Sequence, residues 1–494
     1  MRSFLSARLS TMAAALLWLP GCFSLISSRG GGEAQFTPPR RVEPADVALP
    51  PGYRLEVVAT SLTYPTGVAF DAEGQPHVIE SGYSYGEDFT EARLLRIEAD
   101  GRHTVVAKGS HPPWTGVTFH QGSFFIAEGG EKEGGRIIRV TPDGQITPLV
   151  SGLPSMGDHH TNGPAIGPDG SLYFSVGTAT NSGVVGADNA DMGWLKRHPK
   201  FHDIACQDVI LNGINYTSDN PLTPEPDDKA TTGAFVPFGT ATESGQSISG
   251  QVPCSGAIFR LAPDATTPEL VAWGFRNPYG LAFSPSGRLY ATENGYDLRG
   301  SRSIYGAPDV LWEVKPETWY GWPDFSGGRA VNQEWHKPPG QKEAPRALFQ
   351  VAPGTPPQPV ARLGVHSSSN RFDFSRSEAF GYVGHAFIAQ FGDLTPNTGK
   401  VFGPVGFKVV RVDVATGVIQ DFVANLDKGS GGPASRLGRA GLERPMDARF
   451  DPSGGALYIV DFGVLTLDEQ KNMKPFKETG VLWRVTRVPE GQGQ

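Results

Sequence analysis

The sequence predicts an all-β fold, a six-bladed β-propeller with long inserted loops. Two patterns predict it: pairs of short apolar strands joined by glycine turns recur along the chain, and the first copies are spaced at about 50 residues, a typical blade length. Composition agrees, because 63 glycines, 42 prolines and 10% aromatic residues among 494 suit many short strands connected by turns. Charged residues make up only 19% of the chain, which excludes disorder and a coiled coil.

Each copy of the repeat has a glycine-containing segment that runs into an apolar strand, a polar turn, and a second apolar strand. Six copies are predicted, and they begin at Pro65, Thr115, Asn162, Tyr279, Tyr382 and Met446. The fifth copy, residues 382–384 followed by 386–389, fits the pattern more loosely. Alternating apolar strands and glycine turns indicate hairpins, and three or four strands in each copy would make a propeller blade.

Each copy is followed by a further strand signal. These third strands are predicted over residues 94–98, 136–141, 257–261, 310–314, 408–412 and 481–486. An N-terminal strand over residues 53–59 would complete the last blade and protect both sheet edges.

Two segments, 178–255 and about 316–380, are predicted as inserted loops. Cys206 and Cys254 lie in the first, and we expect a disulfide between them because an exported protein can keep one.

The N-terminus has the pattern of a bacterial export signal. Arg2 and Arg8 precede a short apolar run, and the segment Leu-Pro-Gly-Cys that ends at Cys22 resembles a lipobox. We therefore expect a lipoprotein of the periplasm or cell envelope that contacts the membrane only through lipid on Cys22. The expected division of the chain is a signal peptide at 1–21, a flexible tether at 22–50, the propeller at 51–488 and a tail at 489–494. A net charge of −8 argues against a broad nucleic-acid surface.

Residues just before the first strand of each blade are the candidates for chemistry, because these loops meet on one face around the propeller axis. His159 and His160 precede the third copy, and a histidine there could act as a general base. Arg276 and Asn277 precede the fourth, where they supply a fixed positive charge and an amide. The run Glu-Asn-Gly-Tyr-Asp over residues 293–297 offers oxygen atoms of the kind that Ca²⁺ takes.

Three stretches carry a resemblance to a known family. They are His-Thr-Asn-Gly-Pro-Ala-Ile-Gly-Pro-Asp-Gly from His160, Gly-Phe-Arg-Asn-Pro-Tyr-Gly-Leu from Gly274, and Trp-Tyr-Gly-Trp-Pro from Trp319. Together they resemble the soluble quinoprotein glucose/sorbosone dehydrogenases, six-bladed propellers that use pyrroloquinoline quinone (PQQ) and Ca²⁺. The similarity runs from about residue 50 to 487 and is dense only over 274–323, which is typical of a divergent, sorbosone-type branch.

The resemblance implies roles for the matching residues. It implies that His160 is the catalytic base and that Arg276 stabilises the negative charge that develops on the quinone. The cofactor-binding residues that it implies are Asn277, Arg444 and Lys408, with Lys400 as a second candidate lysine. The Ca²⁺ ligands that it implies are the carbonyl oxygens of Gly295 and Tyr296.

Two departures from the family pattern concern the cofactor site. Val310 follows Asp309 where the family has a second acid, and Met446 stands where the family has a second arginine.

The implied activity is PQQ-dependent oxidation of a sugar or a related alcohol or aldehyde. His160 removes a hydroxyl proton, hydride passes to the quinone, and electrons leave to an external acceptor because the chain has no haem motif. Two alternatives stay open. A Ca²⁺-dependent propeller lactonase would use the same histidine and acids without a quinone, and a non-catalytic surface propeller would bind a ligand or a partner.

One further motif is set aside. Gly82-Tyr83-Ser84-Tyr85-Gly86 fits the spacing of a nucleophile elbow, but that motif needs a strand, a turn and a helix in an α/β sheet. Here it follows a blade strand, so we expect no nucleophile at Ser84.

Overall fold

Glycine turns and apolar strands build six antiparallel sheets in the computed structural model, which describes residues 31–130, 134–191, 193–394, 403–427, 431–470 and 472–488. The first strands of successive blades contact one another in a ring, so each is the inner strand of its blade. The predicted six-bladed β-propeller is therefore confirmed.

Each of the first three blades runs outward from its inner strand in chain order. The strands of blade 1 are Pro65–Phe70, Pro76–Glu80, Ala92–Ile97 and His103–Gly109. Those of blade 2 are Trp114–His120, Ser123–Glu128, Gly135–Val140 and Ile146–Leu153. Those of blade 3 are Thr161–Ile166, Leu172–Val176, Ala257–Leu261 and Glu269–Trp273, with the short strand Thr318–Trp319 added in parallel at the edge.

The last three blades follow the same plan. The strands of blade 4 are Pro278–Phe283, Leu289–Glu293, Pro308–Glu313 and Ala361–Val365. Those of blade 5 are Ser369–Phe374, Ala386–Gln390, Lys408–Asp413 and Val418–Asn425, with Val47–Ala48 at the edge. Those of blade 6 are Pro445–Phe450, Ala456–Asp461, Gly480–Arg487 and the N-terminal strand Tyr53–Leu62. The predicted closure of the last blade by an N-terminal strand is confirmed.

One predicted strand is wrong. The inner strand of blade 5 is Ser369–Phe374, whereas residues 382–384 belong to the turn that precedes Ala386–Gln390. The inner strand has the sequence Ser-Asn-Arg-Phe-Asp-Phe, and its polar residues do not fit the apolar pattern of the other inner strands.

The insertion between the second and third strands of blade 3 is ordered. It contains the helices Ala187–Asp191 and Trp194–Arg197, the paired strands Val209–Asn212 with Ser244–Ile248, and Tyr216–Asp219 with Lys229–Thr232. A disulfide joins Cys206 to Cys254, so the expected bond is confirmed.

The remaining short elements lie in other connections. They are the hairpins Tyr83–Ser84 with Asp88–Phe89, Phe325–Ser326 with Arg329–Ala330 and Leu465–Leu467 with Met473–Pro475, the helix Ala434–Leu437, and the 3₁₀ helices Pro44–Asp46 and Glu334–His336. Among the described residues, no helix is long and apolar enough to cross a membrane.

Part of the segment predicted as a tether contacts the propeller. The Arg40 guanidinium is buried, pairs with Asp461 at 2.6 Å, and donates to the carbonyl oxygens of Thr479 and Gly441. Gly31 donates its backbone N–H to Asp393 at 3.1 Å. The expected signal peptide and the lipid site at Cys22 lie outside the described residues, as does the expected tail at 489–494.

Arg371 on the inner strand of blade 5 reaches across the propeller axis. Its fully buried guanidinium donates to Asp447 of blade 6 at 3.1 Å, to the carbonyl oxygen of Val117 of blade 2 at 2.9 Å, and to that of Gly163 of blade 3. A Cβ atom at Gly116 would lie 1.8 Å from this guanidinium, so the inner strand of blade 2 needs a glycine there.

Side chains also tie each blade to the next. Five hydrogen bonds each join a side chain of one blade to the backbone of a neighbouring blade. They link Thr66 to Trp114 at 2.6 Å, Thr115 to Thr161 at 2.6 Å, Ser175 to Pro278 at 2.5 Å, Thr292 to Asn370 at 2.7 Å, and Asp447 to Val68 at 3.2 Å. Together with the pair Arg371–Asp447, these bonds link all six blades around the axis, which fixes where each inner strand begins.

Replacing Arg371 by Met should strongly destabilise the propeller. The change leaves the buried Asp447 carboxylate with only the more distant Arg449 guanidinium, at 3.9 Å, and breaking a buried ion pair from one side costs about 3–5 kcal/mol. Urea titrations would measure the free energy of unfolding. Arg260→Met is the control, since Arg260 makes surface ion pairs with Asp169 and Glu269 that are worth up to about 1 kcal/mol. Equal losses in the two variants would contradict the role of Arg371.

Candidate functional site

Arg276 lies at the centre of a charged cluster beside the start of the blade 4 inner strand. The residue is only 3% exposed. Its Nη2 pairs with Asp297 at 2.7 Å, its Nη1 donates to the carbonyl oxygen of Gly295 at 2.7 Å, and its Nε donates to Asn181 at 3.1 Å. The backbone N–H of Arg276 donates to Glu293, whose pKa is raised by burial to about 7. The guanidinium is therefore held rigidly as a buried positive charge.

Asp297 connects Arg276 to a second arginine. Arg299 contacts Asp297 at 3.0 Å, Asp158 at 2.6 Å and Asp188 at 2.7 Å. Burial alone would raise the pKa of Asp297, but the two guanidinium groups hold it well below its usual range. Burial and the neighbouring Asp158 raise the pKa of Asp188 to about 6.

His366 reaches the same carboxylate from the loop before blade 5, with its Nε2 lying 3.4 Å from Asp297. Its backbone has a positive φ of 58°, a strained conformation for a residue with a side chain.

His159 is 8% exposed and contacts Thr178, whose backbone N–H donates to the carbonyl oxygen of Arg276 at 2.9 Å. Its Nδ1 is 2.9 Å from the carbonyl oxygen of Thr178, which can only accept a hydrogen bond. Nδ1 therefore carries the proton, and Nε2 keeps the lone pair that a base needs. Burial, and then the charge of Arg276, lower the pKa of His159 well below 6.5, so the ring is neutral at pH 7. A Cβ atom at Gly177 would lie 2.3 Å from His159 and 3.0 Å from Asn277, so this glycine lets the two side chains approach.

His160 has a different environment. Its ring lies 6.2 Å from the Tyr83 ring in an edge contact, and its buried Nδ1 has no hydrogen-bond partner. Burial lowers its pKa to about 4. The charged groups that act on His159 are not among the causes of this shift.

Asn277 belongs to a chain of side-chain amides. It accepts from Asn162 at 3.0 Å and donates to Asn294 at 2.9 Å, and Asn294 donates to the carbonyl oxygen of Ser369 at 3.0 Å. The buried Oδ1 of Asn162 has no partner. The chain links blades 3, 4 and 5 next to Arg276.

Neither Arg444 nor Lys408 makes a contact with this cluster. Arg444 is fully buried between the rings of Phe391 and Phe407, and it donates to the carbonyl oxygens of residues 391–393 at 3.3 Å and of Leu465 at 3.1 Å. Burial lowers its pKa to about 10. Lys408 pairs with Asp421 at 2.7 Å on the neighbouring strand, and Lys400 lies outside the described residues. Arg444 therefore bonds segments of blades 5 and 6 to each other, and Lys408 makes an ion pair between two strands of blade 5.

The residues at the expected Ca²⁺ site do not fit the ion in this arrangement. The Gly295 oxygen already accepts from the Arg276 guanidinium, so a cation there would lie beside a positive charge. Within the described ranges, no group of three or more His, Cys, Asp or Glu side chains could hold a metal. Asp309, which precedes Val310, accepts hydrogen bonds from the backbone N–H groups of Gly295 and Ser369 and from the Ser367 hydroxyl. It therefore holds the loop at Gly295 to the start of blade 5.

A polar ligand fits better beside Arg276. Buried polar atoms without hydrogen-bond partners occur on His160, Asn162 and His366. Asn162 is bonded to Asn277, and His366 lies 3.4 Å from Asp297. Buried polar groups are normally paired, so such atoms mark a place where a ligand can supply the missing bonds. The unpaired atoms are of the kind that bond to the oxygen atoms of a polar ligand.

Several residues of the cluster have no recognisable signal in the sequence. Asp297 ends the run that was considered for Ca²⁺, but its pairing with two arginines is visible only in the fold. Arg299 and His366 have no motif around them, and Asn181 lies in the long insertion. Tertiary structure alone brings them to Arg276.

Part of the chain is similar to a known family. Residues 249–362, which include Arg276, Asn277 and the 293–297 turn, match the family described as Glucose / Sorbosone dehydrogenase. The chain is also 24% identical over 241 residues to quinoprotein glucose dehydrogenase B of Acinetobacter calcoaceticus, a match that covers 47% of this chain and 42% of that relative. The resemblance deduced from the motifs is therefore confirmed, and the matched stretch spans less than half of that relative.

Solved structures share the fold, among them the following two. The PQQ domain of pyranose dehydrogenase from Coprinopsis cinerea, in its holo form, is 15% identical with a TM-score of 0.53, and the match covers 91% of this chain and 98% of that one. The apo form of the soluble aldose sugar dehydrogenase from Escherichia coli is also 15% identical, with a TM-score of 0.50 and coverage of 88% and 99%.

The burial of His160 should make the protein less stable in acid. Its pKa is about 4 in the folded chain and near 6.5 in an unfolded one, so the unfolded chain takes up the proton first as pH falls. Stability from this residue is present above pH 6.5 and is lost on the way to pH 4. Between pH 7 and 5, the loss of unfolding free energy should be smaller in His160→Asn by about 2 kcal/mol.

Urea titrations at a series of pH values would measure this difference. His103→Asn, on the outer strand of blade 1, is the control and should follow the unmodified protein. Parallel curves for His160→Asn and the unmodified protein would contradict the burial of a neutral ring at this position.

Proposed function

We propose that this protein is a PQQ-dependent dehydrogenase that oxidises a sugar or a related alcohol or aldehyde. The observation that carries the proposal is the neutral His159 imidazole, held with Nε2 unprotonated and linked through Thr178 to Arg276, whose guanidinium is buried. The base can remove the proton of a substrate hydroxyl group while the carbon that carries this group loses hydride. The fixed positive charge stabilises the negative charge that develops on the hydride acceptor. The match to the glucose/sorbosone dehydrogenase family over residues 249–362, which include Arg276, supports the choice of PQQ.

Each residue has a separate task in the proposed mechanism. PQQ, when bound, supplies the electrophilic carbonyl that accepts the hydride. Arg276 and Asn277 hold the cofactor, and Arg276 offsets negative charge without having to move, because Asp297 and Asn181 already fix it. The Nε2 atom of the base takes the hydroxyl proton. An external acceptor then removes the two electrons.

The base is one of two adjacent histidines. The motif resemblance implies His160, whereas the geometry favours His159, because its Nδ1 is fixed by Thr178, which is bonded to the backbone of Arg276. We assign the proton transfer to Nε2 of His159 and give His160 a supporting position against Tyr83.

We place the protein in the periplasm or cell envelope, anchored by lipid on Cys22. The basic and apolar pattern of the first 21 residues supports this location, and the confirmed disulfide fits an oxidising compartment.

Dye reduction with and without added PQQ, across aldoses, sorbosone and simple alcohols, tests the activity. Substrate oxidation should require PQQ, and an absorbance titration should show that the protein binds it. Comparing both assays with and without added Ca²⁺ tests the expected ion as well. Absence of both PQQ binding and PQQ-dependent oxidation would overturn the proposal.

Single substitutions of the two histidines identify the base. His159→Ala should lower kcat by about 10²–10⁴-fold, the usual contribution of a general base, while His160→Ala should have a much smaller effect. His103→Ala is the control, and circular dichroism should show that all three variants are folded. A large loss in His160→Ala with little change in His159→Ala would return the role to His160.

A further inference from the structure

The segment Gly82-Tyr83-Ser84-Tyr85-Gly86 forms the tip of a small hairpin after the second strand of blade 1. Ser84 is 2% exposed and is followed by a strand, so the segment is no nucleophile elbow, as expected. Tyr85 beside it is 46% exposed. Within the described part of the chain, Tyr85 and Trp335 are the large aromatic side chains with most exposure.

Both sides of the hairpin are fixed to the propeller. Asp88 accepts from Tyr64 of the preceding loop at 2.6 Å and pairs with Lys477 of the blade 6 connection at 3.0 Å. A Cβ atom at Gly86 would lie 2.3 Å from the carbonyl oxygen of Met473, so the tip packs directly on blade 6. The exposed Tyr85 ring is thus presented by an ordered support, and little further entropy would be lost when it binds a ligand.

Ring contacts connect Tyr85 through Tyr83 to His160, next to the charged cluster. The charges of Asp297, Arg276 and Arg299 all act on the phenol of Tyr85. These groups are therefore its electrostatic neighbours although nearly half of the residue is open to solvent. The Tyr83 ring lies 6.2 Å from the rings of both Tyr85 and His160. Tyr85 is therefore the solvent-exposed member of a series of rings that leads through Tyr83 to His160.

We propose that Tyr85 is the platform on which the ring of a sugar substrate packs, which makes it a specificity-determining residue. This inference rests on the proposed function and assigns the substrate class to cyclic sugars. A tyrosine ring offers a flat apolar face and a polar edge at low entropic cost, a combination that matches the C–H face and the hydroxyl groups of a pyranose. A small alcohol has no such face and would gain little from it.

Depth in the site separates the substrate from the cofactor. Arg276, Asn277 and His159 are between 3% and 8% exposed, whereas Tyr85 is 46% exposed. A cofactor held by Arg276 and Asn277 would occupy the deep part of the site. The layer next to Tyr85 is then left for the molecule that enters from solvent.

Steady-state kinetics of Tyr85→Ala and Tyr85→Phe test the inference. In Tyr85→Ala, KM for the best sugar should rise about tenfold with little change in kcat, since stacking is lost from both the ground and transition states. KM for a small alcohol and the affinity for PQQ should stay unchanged. Tyr85→Phe keeps the ring and should restore most of the sugar affinity. Trp335→Ala is the matched control, an exposed aromatic residue that packs against Arg329.

The outcomes separate this inference from the proposed function. If the unmodified protein oxidises sugars with PQQ and Tyr85→Ala leaves KM for the sugar unchanged, the inference alone fails. It fails in the same way if Tyr85→Ala weakens PQQ binding and leaves the sugar KM unchanged, because the ring would then contact the cofactor. If PQQ-dependent oxidation is absent, the proposed function fails. Calorimetric titration of the unmodified protein and of Tyr85→Ala with the sugar then decides whether Tyr85 binds it.

Discussion

The buried pair Arg371–Asp447 is the interaction on which the arrangement of the blades depends. One guanidinium group contacts the inner strands of blades 2, 3 and 6, and the carboxylate also holds the backbone of blade 1. An ion pair that is out of water persists only when its hydrogen bonds are well satisfied, so these strands have little freedom to shift. Residues just before the inner strands, Arg276 and Asn277 among them, inherit that precision. The geometry of the candidate site therefore depends on the polar pair Arg371–Asp447 on the propeller axis.

The polar contacts between blades also explain which inner strands can be predicted from the sequence. Glycine turns and apolar strands identified five of the six inner strands, because these face hydrophobic layers between blades. The strand Ser369–Phe374 was missed since it carries Asn370, Arg371 and Asp373, whose side chains bond to other blades. A pattern of local hydrophobicity fails where a strand's residues serve long-range polar contacts.

The candidate site divides in a similar way. Arg276 and Asn277 were found because they occupy a contiguous motif, and the structure places them together at the cluster. Arg444 also followed a motif, yet four carbonyl oxygens and two aromatic rings surround its guanidinium. Sequence position alone could not distinguish a buried structural arginine from one that faces a ligand. Arg299 and His366 meet Asp297 from distant segments, a proximity that spacing cannot encode.

The disulfide in the blade 3 insertion makes the formation of the candidate site depend on the compartment in which the chain folds. Asn181, near the start of that insertion, accepts from Arg276 and bonds twice to the backbone of Asp297. The bond between Cys206 and Cys254 closes a loop with a sequence separation of 48, which restricts the unfolded chain by about 4 kcal/mol in the entropic account. In a reducing cytoplasm that restriction would be missing, and the insertion would have to order itself unaided. Oxidative folding therefore helps to assemble the site, and preparations made inside and outside the cytoplasm need not be equivalent.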